Sequence, residues 1–245
     1  MGTTGLQLHK LQPAFLSYLA TEDIAPGDQL PNLSDISDEL GVSVGKLREQ
    51  LEHARRLGLI SSRPRVGTRR EHFDFGQAIL PIVLFGLATE EASFTQFSEL
   101  RRFLEVGLWR QAVSLLTPHD KAHLFRLVDA AWKKLREEPV HVPRVEHRDF
   151  HITIFRHIDN PFVQGILEAY WEAYEASELT RIADYGYWLS VWDHHQKIAD
   201  AIHSGDIEAG LALLLEHFEL LPSVSRLGDG HAIRSGQRAE GHGSG

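Results

Sequence analysis

The chain of 245 residues contains no cysteine. Disulfide frameworks and thiolate chemistry are therefore excluded, and nothing argues for an oxidising compartment. Also missing is any run near the roughly 20 apolar residues that a membrane span needs, and no basic segment at the N-terminus leads into an apolar stretch. The expectation is a cytoplasmic protein with no membrane contact. Alternating polar and apolar runs, the mark of half-buried strands, are absent between residues 75 and 221, so that region is expected to be helical. What is present has an ordinary balance for a globular protein, 42% apolar and 24% charged, and the length suffices for two domains.

Residues 33–70, LSDISDELGVSVGKLREQLEHARRLGLISSRPRVGTRR, carry the strongest local signal. Ser34 is a candidate N-cap, with Asp35 and Asp38 in the first turn where the helix dipole favours negative charge. Ile36 and Leu40 share a face, and Gly41 ends that helix. Ser43 caps a second helix in which Leu47, Leu51 and Ala54 form a buried stripe, leaving Lys46, Arg48 and Arg55 on other faces. Gly58 closes it. Leu59–Ser62 and the residues from Thr68 onward read as two short strands, with Arg63, Pro64, Arg65, Val66 and Gly67 as the tip between them. Two helices joined by a tight turn and followed by a basic hairpin predict a winged helix-turn-helix. Across residues 43–70 eight Lys and Arg stand against two Glu, in a chain whose net charge is −9. The positive charge thus gathers where DNA phosphates would be met, and the expected DNA contacts are the cations Lys46, Arg48 and Arg65 with the neutral Ser43, Gly67 and Thr68 of the cap and wing.

Beyond residue 73 the punctuation is that of a helical bundle. Thr117 with Pro118 and Asp120, Asn160 with Pro161, and Gly205 with Asp206 and Glu208 each mark a helix start. Helices are predicted near 75–89, 93–116, 119–138, 144–158, 161–181, 185–204 and 206–221, with a loop at Glu137–Pro143. The predicted fold class is mainly α: residues 1–72 a winged helix-turn-helix, 73–224 an all-helical effector, metal-binding and dimerisation domain, and 225–245 a disordered tail rich in Gly, Ser, Arg and His.

Histidine is unusually frequent, at 15 residues. His147 and His151 share a stripe with Ile154 and Ile158, His195 with Ile198 and Ile202, and His217 with Leu213 and Leu220. Two imidazoles at i and i+4, joined by single histidines from neighbouring helices, would make a metal site inside a bundle. Spacing alone favours hydrogen-bonded core residues over ligands, because His119 and His123 repeat it without such company. Trp171, Tyr174, Trp188 and Trp192 fit an apolar pocket wall or plain core. Arg101 lies four residues before Glu105, a surface pairing worth only about 0.3–0.5 kcal/mol.

The segments PGDQLP, ELGVS, LREQL, GLI and PRVGT, then ELRRFLE, HRDFH, DNPF, HQKIADAIHSGDIEAG and EHF, resemble in order those of the GntR superfamily of bacterial transcription factors, in its FadR-like branch with an FCD ligand-sensing domain. The resemblance runs from about Leu8 to Leu221. It implies a homodimeric repressor that binds a palindromic double-stranded DNA operator and answers to a small-molecule effector. It further implies a divalent metal held by one Asp and three His. By motif the three are His151, His195 and His217, while His147 stands at the Asp position. A set of four nitrogens favours Zn or Ni over Mn or Mg and leaves the metal one charge more positive, suited to recruiting an anionic effector such as a small carboxylate. The resemblance also implies that Arg101 points into the effector cavity and clasps that carboxylate. The family's arginines at the positions of Ser34 and Val44 are missing. A metal-dependent enzyme is the rival from another class. It is disfavoured because the only Glu-x-x-His, Glu138 to His141, falls in a loop, and no carboxylate shares the face of His147 and His151. A third reading is a regulator that senses an organic ligand without metal.

Overall fold

The computed structural model describes residue 7, residues 10–177 and residues 185–220. The expected tail at 225–245 lies outside the described residues. The chain divides into two compact units, Met1–Pro81 and Ile82–Gly245.

In the first unit, helix α1 (Ala14–Thr21) precedes α2 (Leu33–Leu40) and α3 (Val44–Arg56), and strands β1 (Ile60–Arg63) and β2 (Gly67–Arg70) follow. The α2 cap is Asn32, whose side chain accepts from Asp35 N, and not Ser34, which sits inside the first turn. Asn and Ser compete for this role, and the residue with extended backbone wins: Asn32 has φ −67° and ψ 156°. Gly41 turns the chain in the left-handed region at φ 62°, and Ser43 Oγ then accepts from Lys46 N to start α3. Leu47, Leu51 and Ala54 are buried, together with Gln50. These residues meet Phe15, Leu16 and Leu19 of α1 and Ile36 of α2 in one apolar cluster. Helix α1 has no side-chain cap, and the interior Gln50 takes that duty by accepting from Phe15 N at 2.9 Å. The strands pair antiparallel from Ile60↔Arg70 to Arg63↔Gly67, which leaves Pro64, Arg65 and Val66 as the tip. Gln29 adds a bridge to Arg69 on the far side of β2. Gly67 has φ 92°, a left-handed backbone that strains any residue with a Cβ.

Helix α4 (Phe75–Ala88) carries Pro81 internally, and six helices follow among the described residues: α5 (Phe94–Leu115), α6 (Pro118–Leu135), α7 (Arg144–Phe155), α8 (Pro161–Ala176), α9 (Tyr185–Ser204) and α10 (Ile207–Glu219). Thr117 with Asp120 forms a reciprocal capping box, as does Ser93 with Gln96, and Asn160 and Asp206 cap α8 and α10. Helix α7 sits between α5, α6 and α8, while α10 packs on α9 and α5. Trp109, Leu124, Val128, Phe150, Ile154, Trp192, Ile198 and Leu214 form the core they share. A second cluster gathers Phe94, Tyr170, Trp171 and Tyr174 beside it. Helix α8 is described to Ala176, with Ser177 Oγ donating to Tyr174 O, and residues 178–181 of the expected helix lie outside the described residues. No described helix is long and apolar enough to cross a membrane.

Candidate functional site

Helix α7 offers His147 and His151 from one face, α9 offers His195 and α10 offers His217. The core contacts that pack these helices bring the four rings together. One ring nitrogen from each lies within 4.8 Å of the others, and no ring is more than 1% exposed. Burial holds all four imidazoles well below the ordinary histidine pKa, and neighbouring His and Arg101 charges press the same way. They are therefore neutral at pH 7, the form in which imidazole ligates a metal.

His151 Nε2 lies 3.2 Å from His195 Nε2. His147 has both ring nitrogens buried without a hydrogen-bond partner, and His217 Nδ1 is likewise unpaired. An unpaired buried polar group costs about 1–3 kcal/mol, a penalty that a bound cation would remove for a nitrogen lone pair. The donor set fits a divalent metal on this ground. Imidazole is a ligand for Zn, Ni and Cu more than for Mg or Ca. Phe150, Ile154 and Phe155 on the same helix contribute roughly 1.5–3 kcal/mol each by burial, which offsets part of the cost of keeping the polar rings inside.

Aromatic rings enclose the cluster. Trp171, Trp188, Trp192 and Tyr174 stand with ring centroids 4.8, 5.9, 6.3 and 6.1 Å from that of His147. All four are buried in the core, which is the packing alternative for these residues. The three indole N–H groups are buried and unpaired, donors without acceptors. Arg101 is also buried, its guanidinium 4.7 Å from the Tyr170 ring centre and 4.4 Å from that of Trp171. Its Nε donates to Glu105 Oε1 at 2.6 Å, and its Nη2 has no partner. The Arg101–Glu105 pair is therefore interior, and the magnitude expected for a surface pair does not apply to it.

Glu105 is the residue that sequence reasoning missed. Its Oε2 faces His151 Nδ1 at 3.0 Å, although no carboxylate shares the α7 face. The signal was available: Arg101, Glu105, Trp109 and Ala112 share the buried stripe of α5, where a charged pair is out of place unless it serves something. Both Glu105 oxygens are engaged, so it is not placed to act as a general base. Asp149 lies away from the cluster, 3.9 Å from Arg148, and His123 lines a groove with it.

In the first unit Ser43, Lys46, Arg48 and Arg65 are exposed, and Gly67 and Thr68 are half-buried in the wing. The eight cations of residues 43–70 are not equivalent. Lys46 pairs with Glu49 at 2.7 Å, and Glu52 holds Arg55 and Arg56 at 2.7 and 3.1 Å. Arg69 donates to Gly27 O at 2.7 Å and Arg70 to Ile24 O. Arg48, Arg63 and Arg65 have no partner among the described residues.

The chain matches the model of the bacterial regulatory proteins of the gntR family over residues 17–69 and that of the FCD domain over residues 96–220. It is 29% identical over 214 residues to the HTH-type transcriptional regulator YieP of Escherichia coli, covering 79% of this chain and 88% of the relative. It is 25% identical over 204 residues to the HTH-type transcriptional regulator YcbG of Bacillus subtilis, covering 83% of each. Among solved structures, Streptococcus agalactiae GntR superposes with a TM-score of 0.65 at 15% identity, over 87% of this chain and 97% of that one, which supports the fold.

Proposed function

From the chain's membership of the GntR family, with an FCD domain behind the family's DNA-binding domain, we propose that it is a metal-loaded, ligand-responsive repressor. The family consists of transcriptional regulators and not of enzymes, which removes the rival reading of a metal hydrolase or oxygenase. FCD domains are known to bind metals. Here His147, His151, His195 and His217 would hold Zn or Ni, which supplies positive charge and an open position for an anionic effector. The observation that carries this reading is the gathering of four buried, neutral imidazoles within 4.8 Å.

The effector is a small carboxylate. The unpaired Arg101 Nη2 and the indole N–H groups of Trp171, Trp188 and Trp192 are donors waiting for an acceptor. The DNA contacts fall to Ser43, Lys46, Arg48, Arg65, Gly67 and Thr68 of residues 1–72. Residues 73–224 serve sensing and dimerisation. Two copies meet a palindromic operator in the cytoplasm, since two-fold DNA symmetry asks for two-fold protein symmetry. The effector acts only through unequal affinity for the DNA-competent and DNA-incompetent arrangements.

Metal analysis of untagged protein tests the centre. About one Zn or Ni per chain is expected, lost in His151→Ala/His195→Ala. No metal in the wild type, or undiminished metal in the double variant, would overturn the reading.

A further inference from the structure

Glu105 is fully buried and carries two contacts, Arg101 Nε on Oε1 at 2.6 Å and His151 Nδ1 on Oε2 at 3.0 Å. We propose that Glu105 is a positioning residue for the histidine cluster. It fixes the His151 ring with its proton on Nδ1 and its Nε2 lone pair toward the metal position, and Arg101 holds Glu105 in place. This inference rests on the metal reading of the four histidines.

The tautomer follows from elimination. An ionised carboxylate only accepts hydrogen bonds, so the proton in the contact with Glu105 belongs to His151 Nδ1. His151 Nε2 is then an acceptor, and in the 3.2 Å contact between the two Nε2 atoms the donor is His195. The donor chain runs from His195 through His151 to Glu105. Its middle member has one nitrogen spent on the carboxylate and the other aimed at the remaining rings. Ligating histidines commonly donate their second N–H to such a carboxylate, which sets ring orientation and raises ligand basicity. Among the described residues, Glu105 is the one carboxylate hydrogen-bonded to any of the four imidazoles.

Arg101 explains how that carboxylate tolerates full burial. Burial works against the arginine's charge as well, and Glu105 together with Tyr170 more than restores it. The stacking of Arg101 against Tyr170 and Trp171 limits its freedom to swing away. With Nε committed to Glu105, only the Nη side remains for an effector.

Two measurements test the assignment. In metal-free wild-type protein, long-range ¹H–¹⁵N correlation should show His151 protonated at Nδ1; a proton on Nε2 with Nδ1 bare overturns the proposal without any variant having to fold. Zinc affinity is then measured by chelator competition. Glu105→Gln alone would strand the Arg101 charge, so the variants are Arg101→Met/Glu105→Leu and Arg101→Met/Glu105→Gln. The Leu variant is expected to bind zinc about 10- to 100-fold more weakly than wild type, and the Gln variant, which keeps an acceptor for Nδ1, falls between them. A folded Leu variant with wild-type affinity overturns the proposal while leaving the metal centre standing. A wild type that takes up no zinc overturns the metal centre and this role together.

Discussion

Arg48→Ala isolates the one cation of α3 that has no intrahelical partner. Lys46, Arg55 and Arg56 each have a Glu within 3.1 Å, which neutralises part of what they present to a phosphate. Arg48 is exposed and uncompensated, so its removal should subtract a full contact. If the contact is to a phosphate, the slope of log affinity against log salt falls by about 0.9 per head and about 1.8 for a two-headed complex. If it reads a base edge, each head loses about 1–3 kcal/mol, roughly 5- to 150-fold in affinity. The assay is fluorescence anisotropy on a duplex recovered by selection from random DNA with the wild-type protein, titrated at several KCl concentrations. Arg55→Ala is the internal control and should change little, because Glu52 already holds that cation and would keep Arg56. Unchanged affinity and slope for Arg48→Ala, with weakened binding by Arg55→Ala, would refute this division of the basic face.

Gly210→Ala should destabilise the helical unit. A Cβ there would stand 2.7 Å from Trp109 Cζ2, and that buried ring is pinned by a 2.8 Å hydrogen bond from Nε1 to Ile207 O. Overpacking of about 1–3 kcal/mol outweighs the roughly 1 kcal/mol that alanine returns in helix propensity, so a rise in Tm would contradict the packing. Asp120 gives a pH signature. Burial raises its carboxyl pKa, but hydrogen bonds from the Thr117 side chain, His157 and the Thr117 backbone together bring it well below the ordinary range. Its folded value lies below its unfolded value of about 3.9, so its stabilisation is complete above that pH and fades as pH falls toward the folded value. The stability gap between wild type and Asp120→Asn should therefore shrink below about pH 4 in urea titrations; a gap constant from pH 6 to 2 would refute it. His147→Asp replaces a nitrogen donor by a carboxylate and should shift uptake from Zn toward Mn when both are offered, as read by elemental analysis. An unchanged ratio would remove His147 from the donor set.

Local grammar made much of this legible from sequence. Gly41, Ser43, Thr117–Pro118 and Asn160–Pro161 act within four residues of themselves, and the structure uses each as expected. The stripes of His147, His151, His195 and His217 were visible because helix periodicity predicts a shared inward face. Long-range arrangements were not legible. Helix α1 has eight residues, no side-chain cap and no acidic first turn, and it is held by packing on α3 and by Gln50, 35 residues away from its partner Phe15. Glu105 reaches His151 across 46 positions, a pairing that no periodicity encodes. The choice of Asn32 over Ser34 turned on backbone angles that sequence leaves free between two good capping residues.

The four imidazoles come from three separate helices, α7, α9 and α10, the last of them the final described helix of the chain. A single ion gripped there acts as a rivet whose grip vanishes when the helices part, so occupancy and folding become one equilibrium. At free metal 100-fold above Kd the rivet would add about 2.7 kcal/mol to the unfolding free energy. The melting curve of a metal-loaded bundle would thereby double as a gauge of how much metal the surrounding solution offers.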